Sequence, residues 1–240
     1  MSPRTSSRPA PDRMTGHRPI LCYVTDRRSF HGASPPELRK ILLSRIEEAA
    51  RAGVDWIQLR EKDLPGRDSA ALAREALHRL KKSSNGETPR LLVNDRLDVA
   101  LAEQAGGVHL SETALPVQEV RRMLQISPAA RPLLGDFLIG ASCHSPEGAK
   151  SAASAGADYI FFGPVFATPS KATFGEPQGL ERLAAVCGAV SIPVLAIGGI
   201  TLENAAACLA HGASGIAAIR LFQDTADLPR LVQTLRHLRS

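Results

Sequence analysis

Residues 90–110 read RLLVNDRLDVALAEQAGGVHL, two short apolar segments separated by a stretch whose apolar residues have helical spacing. This pattern predicts a strand over Arg90–Asn94, a helix over Leu97–Gln104 and a second strand over Gly107–Leu110. A strand, a helix and a second strand in succession form the repeating unit of a parallel sheet. Repeated along the chain, this unit would build an α/β domain.

The same alternation extends from residue 20 to residue 238 and gives eight strand–helix units. The predicted strands are Ile20–Thr25, Trp56–Arg60, Arg90–Asn94, Gly107–Leu110, Leu138–Ser142, Tyr159–Gly163, Pro193–Ile197 and Gly215–Ile219. The predicted helices are Pro36–Ala52, Arg67–Lys82, Leu97–Gln104, Pro116–Leu124, Ser145–Ala155, Gly179–Cys187, Leu202–His211 and Asp227–Leu238. Eight such units predict a closed, eight-stranded parallel (β/α)8 TIM barrel. An open doubly wound sheet is the alternative, although no GxGxxG motif follows the first strand.

Length and charge fit one barrel domain with a short basic extension. The chain has 240 residues, 44% of them hydrophobic, and a net charge of +5. Residues 1–18 contain four arginines and one aspartate, a net +3, and we expect them to form a disordered tail ahead of a barrel over residues 19–240. The rest of the chain has no motif of interleaved aromatic and basic residues, so nucleic acid is not an expected partner.

Other features of composition predict a cytoplasmic protein. No apolar run approaches the roughly 20 residues that a membrane span needs, so no membrane association is expected. The four cysteines have no CxxC spacing and follow no secretory signal, which favours reduced thiols. A homo-oligomer is compatible with these features. Four helices end in Ala-Gly or His-Gly, so we expect left-handed glycines at Gly53, Gly106, Gly156 and Gly212.

Polar residues follow the predicted strands, where the active sites of such barrels lie. Gln58, Arg60 and Lys62 share one face because side chains alternate along a strand. Two cations and an amide suit a pyrophosphate, whereas a surface strip of ion pairs is the alternative. Asp95 follows the third strand and could hold Mg²⁺ beside substrate phosphates, or cap the next helix, which spacing alone favours. His109 ends the fourth strand, where a lone histidine is more often a structural group.

The later strands contribute further candidates. Ser142 and His144 share a face at the end of the fifth strand. A long loop over Pro164–Gln178 contains Thr168 and Lys171, and loops of this length usually carry function or form lids. Gly198 and Gly199 follow the seventh strand, where backbone amides can approach a ligand closely. With the loop after the eighth strand they predict the phosphate-binding cup of such barrels, while a tight turn is the alternative.

Six segments in order along Leu21–Phe222 resemble the thiamine phosphate synthase family, which includes the thiazole tautomerases. They are QLREK (Gln58–Lys62), VNDRLDVAL (Val93–Leu101), GVHL (Gly107–Leu110), IGASCHS (Ile139–Ser145), GADYIFFGPVFATPSK (Gly156–Lys171) and IPVLAIGGIT (Ile192–Thr201). The resemblance implies that pyrophosphate leaves hydroxymethylpyrimidine diphosphate, and that the nitrogen of a thiazole phosphate captures the pyrimidine-methyl cation.

The resemblance also implies residue roles. Asp95 would ligate Mg²⁺, Ser142 would lie near the reacting pyrimidine and pyrophosphate, and Thr168 would contact the thiazole phosphate or the pyrophosphate. The pyrophosphate would be gripped by Gln58, Arg60, Lys62, Asn94 and Lys171. The thiazole phosphate would be held by Gly198, Gly199 and the backbone near Ile219 and Arg220.

The chain departs from the synthase pattern at three places. Ala114 stands where the synthases usually have a second metal-binding aspartate, and Glu112 is two residues away. Arg220 replaces a small residue at the phosphate cup, and Phe174–Gln178 is unlike the common loop. The tautomerase branch lacks the second aspartate, and there His144 would act as acid and base in isomerising the thiazole carboxylate phosphate. A synthase is the preferred interpretation because QLREK and the Asn-Asp pair are present. The alternatives are a tautomerase and a non-catalytic barrel that binds thiazole phosphate or thiamine phosphate.

Overall fold

A computed structural model describes residues 18–30, 32–83, 87–126, 135–168 and 176–238. Within them, eight parallel strands pair in sequence order and form a closed barrel. The strands are β1 (Ile20–Val24), β2 (Trp56–Leu59), β3 (Arg90–Asn94), β4 (Gly107–Leu110), β5 (Leu138–Cys143), β6 (Tyr159–Phe162), β7 (Val194–Ile197) and β8 (Gly215–Ala218). Parallel pairing of β1 with β8, with Ile20 opposite Gly215, closes the sheet. The predicted barrel is therefore confirmed and the open sheet is excluded.

Helices connect the strands on the outside of the barrel. They are α1 (Pro35–Ala52), α2 (Gly66–Ser83), α3 (Leu97–Ala102), α4 (Val117–Ile126), α5 (Pro146–Ser154), α6 (Gly179–Ala189), α7 (Leu202–Ala210), α8 (Arg220–Gln223) and α9 (Leu228–His237). The sequence predicted all of these except α8, a single turn directly after β8. It also missed a 3-10 turn over Arg27–Ser29 after β1.

Local sequence explains where the helices begin and end. At the start of α1, the Ser34 N–H donates to the Glu37 carboxylate at 2.8 Å, and Gly53 ends the helix with φ +88°. Gly156 and Gly212 are also left-handed, as predicted. The prediction was wrong for Gly106, because the left-handed residue before β4 is Gln104, with φ +53°.

The core has two apolar layers. One fills the barrel interior and includes Leu92, Tyr159, Phe161 and Leu195, each at most 2% exposed. The other lies between the strands and the surrounding helices and contains most of the remaining buried side chains. Gly140 matters for the inner layer, because a Cβ there would lie 2.0 Å from the Tyr159 ring. The absence of a side chain on β5 thus makes room for an aromatic group on β6.

Other expectations concern the chain's ends and its cysteines. Of the predicted tail, residues 1–17 lie outside the described residues, and Arg18 pairs with Asp55 at 2.8 Å. The four cysteines are buried and free, as expected for thiols. Burial raises the pKa of Cys143 to about 11, so this thiol stays protonated near neutral pH. No helix among the described residues is long and apolar enough to cross a membrane.

Candidate active site

The carboxyl ends of the eight strands meet at one end of the barrel, here called the mouth. Because the strands are parallel and in register, residues that end neighbouring strands lie side by side. Asn94 of β3 is opposite His109 of β4, and Ser142 of β5 is opposite Phe161 of β6. The barrel thus brings the candidates from β2, β3 and β5 to one mouth.

A chain of hydrogen bonds crosses the mouth from β2 to β4. Gln58 is 2% exposed, and its amide Nε2 donates to Asn94 Oδ1 at 3.0 Å. Asn94 Nδ2 in turn donates to Asp95 Oδ2 at 2.8 Å. Asp95 also accepts hydrogen bonds from the Ser111 N–H at 2.6 Å and from the Ser111 hydroxyl at 2.9 Å. Gln58 and Asn94, assigned to the pyrophosphate, and Asp95, assigned to Mg²⁺, therefore form one connected polar group.

The carboxylate of Asp95 does not cap the following helix, so that interpretation of its position was wrong. The residue before α3 is Arg96, which makes no side-chain cap. Asp95 has a left-handed backbone with φ +58°, and its side chain contacts Ser111 at the end of β4 instead. Aspartate tolerates this conformation better than most residues. The turn therefore leaves the carboxylate available at the mouth.

Arg60 and Lys62 continue the strand-two face beyond Gln58. Arg60 is partly exposed and Lys62 is exposed. The pKa of Lys62 is lowered, first by the positive charge of Arg60 and then by partial burial, while Asp95 acts in the opposite direction. The two cations are thus close enough to repel one another beside a carboxylate. Such a pair is stabilised by a bound anion.

A buried network that the sequence did not reveal holds the loops after β1 and β2 together. Glu61, with a side chain 2% exposed, accepts hydrogen bonds from the Thr25 hydroxyl at 2.6 Å and from Arg27 Nη1 at 2.9 Å. Arg27 also forms two 2.8 Å hydrogen bonds with Asp63. The two acidic residues of the segment Arg60–Asp63 bind Arg27. Its two cations, Arg60 and Lys62, do not bind Arg27 and can contribute to the mouth. These contacts join residues more than 30 positions apart, which spacing cannot show.

The ionisation of this network follows from its burial. Burial raises the pKa of Glu61 despite its hydrogen bonds to Thr25 and Arg27. Burial alone would lower the pKa of Arg27, but hydrogen bonds to Asp63 and Glu61 outweigh it and raise that pKa. Burial is the larger effect on the pKa of Glu61, whereas the two hydrogen bonds to Asp63 keep the Arg27 guanidinium charged.

Asp95 can offer one oxygen to a metal ion. Oδ2 accepts two hydrogen bonds and Oδ1 accepts one, so a lone pair on Oδ1 stays open. No group of three His, Cys, Asp or Glu side chains in the described ranges is placed to hold a metal ion. One carboxylate fits Mg²⁺ when substrate phosphates and water supply the other ligands.

Ala114 contributes no metal ligand and has a packing role. Its methyl group is partly buried against the apolar core, and its N–H donates to the Ser111 carbonyl in a turn. The Ser111 hydroxyl on the same turn binds Asp95. The turn that contains Ala114 thus also supplies two hydrogen-bond donors to Asp95, both from Ser111.

Ser142 and His144 both lie at the end of β5, as predicted, but they have different neighbours. Ser142 Oγ is 2.9 Å from His109 Nε2, and His109 Nδ1 is 3.1 Å from the Tyr159 hydroxyl. The structural role expected of His109 is therefore consistent with its 2% exposure and two hydrogen bonds. His144 Nδ1 lies 2.5 Å from the Gly163 carbonyl, and Nε2 faces Glu112 at 3.8 Å. Glu112 thus lies beside His144.

The backbone conformation and the close packing after β7 require glycine at both Gly198 and Gly199. Gly198 and Gly199 are left-handed, and a Cβ on Gly198 would lie 2.5 Å from Pro164. The Phe166 N–H donates to the Gly198 carbonyl at 3.0 Å, and Asn204 fixes the Gly199 carbonyl at 2.9 Å. The tight-turn interpretation is therefore supported, and a ligand contact by these amides stays a prediction.

The remaining candidates surround this turn or lie outside the described residues. Ile219 is partly exposed, and the exposed Arg220 begins α8 directly after β8. Thr168 is partly exposed in the loop after β6. Lys171 lies outside the described residues, as do residues 174–175 of the loop that departs from the synthase pattern.

Comparisons with known proteins give one consistent result. A family model described as thiamine monophosphate synthase matches residues 21–222. A thiamine-phosphate synthase from Methanoculleus marisnigri is 41% identical over 218 residues, covering 90% of this chain and 93% of the relative. One from Roseiflexus sp. (strain RS-1) is 42% identical, covering 83% of this chain and 76% of the relative. Among solved structures, the thiamine phosphate pyrophosphorylase from Pyrococcus furiosus is 31% identical. Its TM-score is 0.72, and the alignment covers 91% of this chain and 94% of that one.

Proposed function

The chain belongs to the thiamine monophosphate synthase family, and we propose that its mouth joins hydroxymethylpyrimidine diphosphate to thiazole phosphate with release of pyrophosphate. It is a transferase with thiamine-phosphate synthase activity. In this reaction the bond between the pyrimidine methylene carbon and the diphosphate oxygen breaks, and the electron pair leaves with pyrophosphate. The thiazole nitrogen then forms a bond to the methylene carbon.

The observation that carries the proposal is the grouping of two cations, two amides and a carboxylate at the mouth. Arg60 and Lys62 repel each other there, and Asp95 lies close enough to affect the pKa of Lys62. A departing pyrophosphate is a concentrated anion, and fixed cations stabilise it most as its charge develops. The family reaction requires this arrangement more than it requires a general base.

Two amides, the buried Gln58 and the partly exposed Asn94, extend the same binding surface. Gln58 Nε2 is held by Asn94 Oδ1, and Asn94 Nδ2 is held by Asp95. Each NH₂ group has a second N–H. We assign these two N–H groups to the diphosphate oxygens, with Ser142 beside the methylene carbon and Lys171 as a further cation. Preorganised donors of this kind cost little reorganisation during the reaction.

Mg²⁺ fits this site through Asp95. Asp95 would hold the ion, and the ion would neutralise part of the leaving group's charge. Asn94 and Ser111 orient the carboxylate for this purpose through three hydrogen bonds. Because Ala114 offers no second carboxylate, we expect weak Mg²⁺ binding that depends on the substrate.

The opposite side of the mouth would bind the thiazole phosphate. The turn at Gly198 and Gly199 and the start of α8 at Ile219 and Arg220 follow the last two strands, where many barrels bind phosphate. Arg220 is exposed and can approach a phosphate from solvent. Thr168 would contact the thiazole phosphate or the pyrophosphate from the neighbouring loop.

The comparisons favour the synthase over the two alternatives. Both reported relatives have the name thiamine-phosphate synthase, and the similar solved structure is named a thiamine phosphate pyrophosphorylase. His144 would be the acid and base of a tautomerase, whereas a synthase needs no obligatory base. We also propose a cytoplasmic enzyme that acts on small phosphorylated substrates, without nucleic-acid or membrane partners and compatible with a homo-oligomer. Four buried free thiols fit a reducing compartment.

The test compares wild-type protein with His144→Ala in two assays. One measures thiamine phosphate from both substrates with Mg²⁺, and the other measures isomerisation of the thiazole carboxylate phosphate. We expect wild type to make thiamine phosphate and His144→Ala to keep most of that rate. Isomerisation that depends on His144, without any thiamine phosphate, would contradict the proposal and support the tautomerase. Binding of thiazole phosphate or thiamine phosphate without turnover in either assay would support the non-catalytic barrel.

A further inference from the structure

Inside the barrel, a line of hydrogen bonds runs from Tyr159 on β6 to Ser142 at the mouth. The Tyr159 hydroxyl is 3.1 Å from His109 Nδ1, and His109 Nε2 is 2.9 Å from Ser142 Oγ. Tyr159 is 1% exposed and His109 is 2% exposed, whereas Ser142 is partly exposed. The hydrogen bonds therefore connect the buried interior of the barrel to Ser142, the side chain that we place beside the reacting methylene carbon.

Packing fixes both rings in this line. The His109 ring lies 4.3 Å from the Phe161 ring, and Tyr159 lies 4.8 Å from Trp56. Gly140 opens the space that the Tyr159 ring fills, because a Cβ there would lie 2.3 Å from the hydroxyl oxygen. Neither ring can rotate freely in such a packed interior.

Hydrogen-bond accounting decides the direction of the line. In a neutral imidazole one nitrogen donates and the other accepts. Throughout the described ranges, the Tyr159 hydroxyl has no hydrogen-bond partner besides His109. If His109 Nδ1 donated, the buried Tyr159 O–H would have no acceptor. A buried donor without an acceptor lowers the stability of the folded protein. Burial raises the pKa of Tyr159 well above its usual value, so its proton stays in place.

We propose that Tyr159 and His109 are positioning residues that fix the Ser142 hydroxyl as a hydrogen-bond donor to the departing pyrophosphate. Tyr159 donates to Nδ1, and the Nε2–H donates to Ser142 Oγ. Because the Ser142 oxygen accepts this hydrogen bond from the barrel interior, the Ser142 O–H is directed towards the mouth. This inference rests on the proposed function, since a leaving pyrophosphate is what receives the hydrogen bond.

A spectroscopic test separates the line from the activity. In wild type labelled with ¹⁵N-histidine, we expect the His109 signals to be those of the Nε2–H tautomer. The Nδ1–H tautomer would overturn the inference, whether or not the protein makes thiamine phosphate. If the wild type made no thiamine phosphate, the proposed function would be wrong. The tautomer of His109 would still show whether the hydrogen bonds have the proposed direction.

Kinetics test whether the line acts through Ser142. We expect Tyr159→Phe to lower kcat about tenfold, the equivalent of one neutral hydrogen bond, with KM for the diphosphate unchanged. The Ser142→Ala change should lower kcat about 100-fold, as does the removal of one hydrogen-bond donor from an oxyanion hole. Added to Ser142→Ala, the Tyr159→Phe change should cause no further loss. Losses that multiply would show a merely structural role for Tyr159 and overturn the inference.

A matched pair at His109 keeps the test decisive if Tyr159→Phe fails to fold. In His109→Gln the amide nitrogen lies near the position of Nε2, and in His109→Asn it lies near that of Nδ1. We expect glutamine to keep most of kcat and asparagine to lose about tenfold, the equivalent of one hydrogen bond. Equal rates in the two folded variants would contradict a role in orienting the serine.

Discussion

Replacement of Asp95 by asparagine tests the carboxylate at the centre of the site. Asp95 accepts hydrogen bonds from the Asn94 amide at 2.8 Å, the Ser111 N–H at 2.6 Å and the Ser111 hydroxyl at 2.9 Å. Asparagine keeps one oxygen for the Ser111 N–H, but its NH₂ group faces the donating amide of Asn94. The Ser111 hydroxyl can rotate and accept, so one charge-assisted bond is lost.

The structure sets the size of the effect of Asp95→Asn. Loss of one hydrogen bond to a charged group costs about 1.5–3 kcal/mol of unfolding free energy. Asparagine tolerates the left-handed backbone of Asp95, so the change adds little strain. A domain of this size loses about 2–4 °C in Tm for each kcal/mol. Loss of the metal ligand should lower the rate at least about 100-fold, since charge stabilisation by a metal is worth several kcal/mol.

The assay combines thermal unfolding with thiamine phosphate formation across a Mg²⁺ titration. Asp98→Asn is the matched control, because Asp98 lies in the first turn of α3, its side chain is 65% exposed and it pairs with Arg96 at the surface. Surface pairs contribute at most about 1 kcal/mol, so the control should keep its rate and nearly all its stability. A wild-type rate and Mg²⁺ titration in Asp95→Asn would refute the assignment of this carboxylate to the metal.

Three further predictions concern the cations, the missing carboxylate and the buried network. Arg60→Ala and Lys171→Ala should each weaken binding of the pyrimidine diphosphate by about 1.5–3 kcal/mol in calorimetry, and unchanged affinity in both variants would contradict their role. Ala114→Asp should tighten the Mg²⁺ dependence and raise the synthase rate, whereas an unchanged titration would show that this position is not at the metal. Because burial raises the pKa of Glu61 above its usual 4.5, folding favours its protonated form. The free energy of unfolding of the wild type should therefore fall as pH rises from about 4.5 through the raised pKa. Urea unfolding at several pH values should show a smaller dependence of this free energy on pH in Glu61→Gln. An equal dependence in the two proteins would exclude Glu61 as the cause.

The barrel could be predicted from the sequence because its signal is local. Apolar segments such as Tyr159–Phe162 are buried on both faces and read as continuous runs. Helix starts also have local signals, since Ser145 caps α5 through a 3.0 Å bond from the Gly148 N–H. The single-turn helix α8 was missed because four residues give no periodicity.

The site was predicted less completely because its contacts depend on backbone geometry. The left-handed turn at Asp95 moves its side chain away from the helix start and towards Ser111, which no spacing rule indicates. The contact between Thr25 and Glu61 joins two loops 36 residues apart in sequence. Likewise, the hydrogen bond between His109 and Ser142 exists only because β4 and β5 are neighbours in the barrel.

A ³¹P NMR time course of the wild-type protein measures directly whether the mouth joins the two substrates. The sample contains hydroxymethylpyrimidine diphosphate, thiazole phosphate and Mg²⁺, and the signals of pyrophosphate and thiamine phosphate are followed together. We expect both products to appear at the same rate in equal amounts, and chelation of Mg²⁺ to slow the formation of both. Failure of both signals to appear with folded protein and excess Mg²⁺ would contradict the claim that this mouth joins the two substrates.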